Sequence, residues 1–301
     1  MIDGFINVYK EQGYTSFDVV AKLRGILKQK KIGHTGTLDP LAEGVLLVCL
    51  GQATKLCDLL VEKDKEYECV MLLGKTSDTE DISGTILTDS EEIPDETAIR
   101  EAVESFIGDY DQIPPMYSAI KVNGKKLYEL ARQGIEIERQ PRQVEIYSLD
   151  ILSIEKERVT FHVSCSKGTY IRSLCRDIGE KLGCGALMEK LVRTGVREFS
   201  VSDSHTLKQI EELRDTGCLS EHIVPLDYFL KDMPSFHVRS DKEKLLQNGN
   251  KLKPSDFLEN QVITDTYVRV YTEQGVFMAL YKYKMDRQEY VPYKMFLGEQ
   301  R

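Results

Sequence analysis

Between residues 159 and 183 the spacing of the apolar residues switches from alternation to a helical stripe across one short turn. In "VTFHVSC" (159–165), Val159, Phe161, Val163 and Cys165 share one face of an extended chain, which predicts a half-buried strand. Lys167-Gly168 makes the turn. "TYIRSLCRDIGEKLG" (169–183) then sets Ile171, Leu174, Cys175, Ile178 and Leu182 along one side of a helix. Patterning of this kind belongs to chains that pack helices on a sheet.

The rest of the chain follows the same rules. Ser16 precedes apolar Val19, Val20, Leu23, Ile26 and Leu27, which predicts a helix capped by Ser16, with Asp18 in the first turn where an acid suits the dipole. A glycine-rich loop follows, "KIGHTGTLDPLAEGVL" (31–46). Val45 to Leu50 read as a buried strand ended by Gly51, and "KEYECVMLLG" (65–74) as another. Residues 77–92 read as a flexible acidic loop turning at Gly84, and 97–108 as a helix. In 112–134 a Pro-Pro break, a turn at Asn123-Gly124 and a short helix around Lys126 to Arg132 suggest an excursion from the core with a basic surface. Beyond Asp232, "MPSFHV" offers a linker-like break, and alternation in "TYVRVYT" and "VFMALYKYK" predicts a small β-rich domain over 235–301.

Several function classes are disfavoured. No apolar run is long enough to span a membrane, and the N-terminus lacks the basic start and apolar core of a secretory signal, so a cytoplasmic protein is expected. The seven cysteines form no CxxC pair and no spaced Cys/His set, which predicts reduced thiols and no metal. The net charge of −9 argues against a nucleic-acid partner only until its distribution is read. Residues 77–104 hold ten acids against Arg100 alone and account for all of it. "AKLRGILKQKK" (21–31) carries five cations and no acid, and 120–142 carries six cations interleaved with Tyr128 and apolar residues. Such patches can neutralise phosphates on a protein of negative net charge, although each by itself also reads as a solvated helix face.

Within the glycine-rich loop, Asp39 is the single acid between Asp18 and Glu43. Pro40 biases it towards extended backbone, and Gly33 and Gly36 permit tight turns around it. His34, Thr35 and Thr37 add short polar groups. An isolated acid in this setting suits a nucleophile or base held ionised by a buried arginine. On the local pattern alone a turn or helix cap is the commoner use of such an acid. The loop lacks the Gly-Lys-Ser/Thr ending of a phosphate-binding loop, and nothing in the sequence sets Asp39 and Glu43 across a bond as a glycosidase pair.

Taken together, five ordered segments resemble the TruB family of pseudouridine synthases over roughly residues 4–200: "GHTGTLDPLAEGVLLVCLGQATK" (33–55), "KEY" (65–67), "IPPMYSAIKVNGKKLYELARQG" (113–134), "CSKGTYIRSLCRDIGEKLGCGA" (165–186) and "LVRTGVREF" (191–199). The resemblance implies an α+β pseudouridine synthase catalytic fold on a mixed, mainly antiparallel sheet, over residues 1–232, with an RNA-binding thumb near 112–147. It implies a PUA-like RNA-binding domain over 235–301. The activity implied is isomerisation of uridine to pseudouridine in the T-arm loop of tRNA, at position 55, on a nucleotide flipped out of its stack. Asp39 would be the nucleophile, attacking either C1′ of the ribose or C6 of the base. Tyr67 would stack on the flipped base, Arg172 would pair with Asp39, His34 and Tyr170 would line the pocket, and Leu191 would floor it. Lys121, Lys125, Lys126 and Arg132 would bind RNA from the thumb.

Substrate and product are isomers, so no cofactor or metal is implied, and tRNA is the one partner expected of a monomer that needs no protein partner. Two departures from the family pattern stand out: Glu11 follows Lys10 where a proline is usual, and Val192 and Arg197 replace an arginine and a glycine. The competing readings are an RNA-binding module or tRNA-folding chaperone without chemistry, a guide-RNA-dependent relative that modifies ribosomal RNA, and a hydrolase using Asp39 with Glu43.

Overall fold

The computed structural model describes residues 1–60, 64–122, 124–259 and 266–297. The chain begins with β1 (Gly4–Lys10), α1 (Ser16–Leu27), β2 (Ile32–His34) and β3 (Glu43–Leu50). A 3-10 turn and α2 (Cys57–Leu60) come before β4 (Lys65–Leu73), the hairpin β5 (Lys75–Ser77) and β6 (Ile86–Asp89), α3 (Glu96–Glu104) and β7 (Gly108–Gln112). The short strands β8 (Lys121–Val122) and β9 (Lys125–Lys126) precede α4 (Leu127–Ala131). Next come β10 (Arg142–Glu155), β11 (Arg158–Cys165), α5 (Ile171–Leu182), β12 (Ala186–Val196), β13 (Phe199–Ser200) and α6 (Leu207–Thr216). The C-terminal part adds β14 (Ser235–His237), α7 (Glu243–Gln247), β15 (Tyr267–Tyr271), β16 (Phe277–Lys284) and β17 (Glu289–Met295).

Among the described residues nine strands form one sheet, ordered β1-β3-β12-β4-β11-β10-β7, with β2 on β3 and β13 on β12. Only β3 and β12 run parallel, so the sheet is mixed and mainly antiparallel as expected. The continuous apolar run of β3 is explained by burial on both faces. Leu46, Val48 and Leu50 pack with α1 and α6, while Val45, Leu47 and Cys49 pack with Phe5, Phe229 and the C-terminal residues Leu280 and Phe296. In β11 only Val159, Phe161, Val163 and Cys165 are buried, and they pack under Leu174, Cys175 and Ile178 of α5. Period two and period three-and-a-half meet there as the sequence predicts.

Two local expectations are corrected. The cap of α1 is Thr15: its hydroxyl accepts from the Asp18 amide at 3.0 Å, and the Asp18 carboxylate accepts from the Thr15 amide at 2.8 Å, a capping box. Ser16 is instead buried inside the first turn. The acidic stretch 77–92 is a hairpin rather than a loose loop, and its turn buries Glu80 and Asp81. Of the expected Asn123-Gly124 turn, Asn123 lies outside the described residues and Gly124 has φ +82°.

The segment between Gln112 and Arg142, which pair with each other at the sheet edge, leaves the sheet and packs a small core of Met116, Leu127 and Leu130. The C-terminal four-stranded sheet has its own core around Phe236, Val270, Tyr281 and Tyr290. It is also tied to the larger sheet: Lys55 Nζ donates to the Met295 carbonyl at 2.6 Å, and Lys294 pairs with Asp58 at 2.6 Å.

Helix α5 lies against β12 at Gly179, where an added Cβ would sit 2.1 Å from the Ala186 nitrogen. Gly179→Ala therefore forces the helix off the sheet. An overpacking cost of roughly 1–3 kcal/mol should lower the urea midpoint of unfolding. An unchanged midpoint would show that the helix moves without cost.

Candidate active site

Asp39 sits on the loop between β2 and β3, and that loop is fastened from three sides. The Ser16 hydroxyl accepts from the Leu38 amide at 2.8 Å and donates to the Leu38 carbonyl at 3.2 Å. The Gly13 amide donates to the Pro40 carbonyl at 2.8 Å, and the Ala42 amide to the Asp39 carbonyl at 3.1 Å. From beneath, the buried Lys10 ammonium donates to the Ala42 carbonyl at 2.6 Å. Backbone groups that a wandering loop would give to water are thereby satisfied inside the protein.

Arg172, in the first turn of α5, reaches this loop. Its Nη2 is 2.9 Å from Asp39 Oδ2; the arginine side chain is 4% exposed and the aspartate 40%. The guanidinium also donates to the Thr79 carbonyl at 3.0 Å and the Tyr117 carbonyl at 2.9 Å, and the Asp81 carboxylate lies 3.9 Å from Nε. The cation is thus the buried partner and the carboxylate the presented one. Asp39 Oδ1 has no protein partner among the described residues.

The residues expected to line the pocket divide into those beside this pair and those behind it. Tyr67 on β4 and Leu191 on β12 are buried in the same hydrophobic cluster as Leu38 and Ala42 of the loop. Burial pushes the Tyr67 hydroxyl up to about 12, against the positive charge of Arg193, which pulls it down. Tyr170 caps α5 and is held through a reciprocal pair with Gln112, its amide to Oε1 at 2.8 Å and its carbonyl from Nε2 at 3.0 Å. Its hydroxyl is also raised, chiefly by burial, and the charge of Asp39 acts on both tyrosines in the same sense. His34 lies half-buried at the end of β2, paired with Val48. Burial and the nearby Arg193 hold its imidazole below the usual range, and Nδ1 has no partner among the described residues. No hydrogen bond or ion pair among the described residues joins His34, Tyr67, Tyr170 or Leu191 to Asp39.

Arg193 and Lys10 are the site residues that sequence reading missed. Arg193 is fully buried on β12 and donates to Val45 O at 2.6 Å, Gly36 O at 3.2 Å and Thr37 O at 3.5 Å. It holds the loop from behind without any carboxylate partner among the described residues. The available signal was a lone arginine within the apolar stretch of β12. The departures are accommodated. Glu11 is exposed, and Val192 pairs with Glu43 across the parallel strands. Arg197 adopts φ +53°, the left-handed region where glycine is at ease, and lays its guanidinium 5.3 Å from the Phe229 ring centre.

The thumb cations stand apart from the carboxylate. Lys121, Lys125 and Arg132 are exposed, and Lys126 is partly so. Lys126 and Arg132 both lie over the Tyr128 ring, at 5.3 and 5.4 Å.

Burial pulls the Lys10 ammonium down to about 8, with Asp39 opposing and Arg193 reinforcing the fall. The folded chain binds this proton less tightly than the unfolded chain, so the penalty is present below pH 8 and relieved as pH rises from there. Lys65 titrates in the same direction, so the difference between wild type and Lys10→Met is the quantity to measure. In urea unfolding between about pH 8 and 10, wild type should gain on the variant by up to about 1.4 kcal/mol per pH unit. A pH-independent difference would mean that Lys10 does not titrate in that window.

The sequence matches two family models, "TruB family pseudouridylate synthase (N terminal domain)" over residues 24–171 and "tRNA pseudouridylate synthase B C-terminal domain" over 172–231. It is 52% identical to a tRNA pseudouridine synthase B of Lachnoclostridium phytofermentans, covering 98% of this chain and 100% of that protein. It is 49% identical to the protein of that name from Clostridium acetobutylicum, covering 93% and 95%. Among solved structures it resembles a chain of an H/ACA ribonucleoprotein bound to a substrate RNA containing 2′-deoxyuridine, with TM-score 0.71 and 25% identity over 99% of this chain and 86% of that one. A chain from a Cbf5-Nop10-Gar1 complex gives TM-score 0.69 and 28% identity, covering 98% and 84%. With the family models spanning two thirds of its length and a carboxylate–arginine pair at the centre of the matched region, the chain belongs to the TruB family and is a pseudouridine synthase.

Proposed function

We propose that this enzyme isomerises uridine to pseudouridine in the T-arm loop of tRNA, with Asp39 as nucleophile on a nucleotide flipped out of its stack. The observation that carries the reading is the pair at 2.9 Å in which a buried Arg172 holds one oxygen of a solvent-facing Asp39. Such a pair aims the carboxylate while leaving Oδ1 for the nucleoside. The tRNA substrate is supported by the names of relatives that align over nearly the whole chain.

In this reading Asp39 attacks C1′ or C6, the glycosidic bond between C1′ and N1 breaks, and the uracil turns while held. It then rejoins the ribose through C5, the bond to Asp39 breaks, the C5 hydrogen leaves as a proton and N1 takes one up. Tyr67 and Leu191, packed under the loop, offer apolar surface for the base, and His34 and Tyr170 complete the wall. Extruding the base costs a few kcal/mol of unstacking, which contacts elsewhere must offset. The thumb suits that task, because Tyr128 holds Lys126 and Arg132 over its ring, beside Lys121 and Lys125. Residues 1–232 would form the catalytic domain, with the thumb as an excursion near 112–147 and 235–301 as a PUA-like RNA-binding domain. The protein would act as a monomer in the cytoplasm; among the described residues no helix is long and apolar enough to cross a membrane.

A hydrolase using Glu43 finds less support, since that carboxylate, at the start of β3, is paired with Lys190 at 3.4 Å. A chaperone without chemistry leaves the guanidinium beside Asp39 unexplained.

Asp39→Asn is nearly isosteric but is a poor nucleophile, and Asp39→Glu shifts the oxygens by one methylene. Both should bind unmodified tRNA with near wild-type affinity yet lose roughly 10³-fold or more in tritium release from uracil C5. Glu43→Gln should stay active. Substantial release by Asp39→Asn would remove Asp39 as nucleophile.

Neutralising Lys121, Lys125, Lys126 and Arg132 together to Gln should weaken tRNA binding and lower the slope of log affinity against log salt by about 3. An unchanged slope would place the RNA elsewhere.

A further inference from the structure

The basic stretch 21–31 has no part in the chemistry above. Its helix is anchored to the catalytic loop, however, because Ser16 in its first turn clasps Leu38 and the preceding Gly13 bonds Pro40. The buried side of α1 is Ser16, Val19, Val20 and Leu23. The opposite side opens with Phe17, 66% exposed, and continues through Ala21, Arg24 and Lys28 at helical spacing. Arg24 lies over the Phe17 ring at 5.8 Å, and Lys22 lies over the Tyr14 ring at 5.0 Å. The other face of the Phe17 ring is left to solvent, and Lys30 and Lys31 extend the charge towards β2.

One exposed phenylalanine by itself means little. Here it heads a row of five cations, none of which forms an ion pair with a carboxylate among the described residues. The contrast with α6, packed beside α1, is informative. There Lys208 pairs with Glu212, and Arg214 with Glu211 and Asp215. On a protein of net charge −9, cations without a direct ion pair beside an exposed phenylalanine suit an anionic, π-faced partner, although Asp18 lies one helical turn from Lys22. From Phe17 to Lys28 the ridge is roughly 17 Å long, about the span of three backbone phosphates, and it starts at the catalytic loop.

We propose that the solvent face of α1 is a second RNA-contact surface. Phe17, backed by Arg24, stacks on an unpaired base of the substrate, and Lys22, Lys28 and Lys30 meet phosphates flanking the reacting nucleotide. The surface is separate from the thumb, and the inference rests on the RNA-modifying reading of the Asp39 site.

The test measures equilibrium binding of an unmodified tRNA transcript at several salt concentrations. It compares wild type with Phe17→Ala, with the triple change Lys22→Gln, Lys28→Gln and Lys30→Gln, and with Lys208→Gln on α6 as control. All the changed side chains are exposed, and circular dichroism checks that the variants fold. Phe17→Ala should raise Kd roughly tenfold with little change in salt slope, because stacking releases no counterions. The triple variant should raise Kd and lower the slope by about 2. Lys208→Gln should match wild type. Wild-type affinity and slope in both α1 variants would overturn the proposal. So would a fall in single-turnover rate at saturating RNA with affinity unchanged, which would assign α1 to holding the loop. A wild-type protein that neither bound nor modified the transcript would instead sink the reading of the Asp39 site itself.

Discussion

Arg172 is 4% exposed, and a guanidinium in that position costs several kcal/mol in desolvation unless its N–H groups find acceptors. Asp39 supplies an opposite charge at 2.9 Å, and the Thr79 and Tyr117 carbonyls accept the guanidinium's hydrogen bonds. These partners come from three segments far apart in sequence: the β2–β3 loop, the turn of the acidic hairpin and the base of the thumb. Each must be in place for the cation to be stable, so the arginine couples their positions. The hairpin turn that buries Glu80 and Asp81 and the packing of α5 on Gly179 both serve this requirement.

The loop carrying Asp39 is held by cations whose acceptors are backbone carbonyls. Lys10 binds Ala42 O, and Arg193 binds Val45 O, Gly36 O and Thr37 O. Backbone carbonyls can fix a cation without adding a second negative charge beside the Asp39 carboxylate. Burial, reinforced by the positive charge of Arg193, holds His34 low and pulls Lys10 down. Approach of the backbones is equally tight, since a Cβ on Gly44 would lie 2.3 Å from the Arg193 carbonyl oxygen.

Charge is segregated over the molecule. The acids of 77–104 lie on the β5–β6 hairpin and α3, whereas the cations of α1 and the thumb lie elsewhere in the chain. Net charge therefore said little about the partner, and local distribution said more.

Much of this fold was legible in the linear pattern. The alternation of β11, the helical stripe of α5 and the continuous apolar run of β3 each report burial on one or both faces, and burial is what apolar spacing encodes. Asp39 stood out because Pro40 and the neighbouring glycines limit the backbone around it. The resemblance to a known family, carried by ordered motifs, named the candidate residues. Local pattern misplaced the α1 cap, because Thr15 and Ser16 are both competent caps and only the packing of Ser16 against Leu38 separates them. It also read 77–92 as loose, because the acceptor role of Thr79 exists only once Arg172 arrives from residues ninety positions away. Arg193 was overlooked for the same reason: a strand arginine is ordinarily exposed, and its carbonyl partners are gathered by the parallel pairing of β3 and β12. Sequence determined which surfaces must be buried and where the chain must turn. Tertiary structure alone decided which buried cation meets which acceptor, because that depends on long-range pairing no local period records.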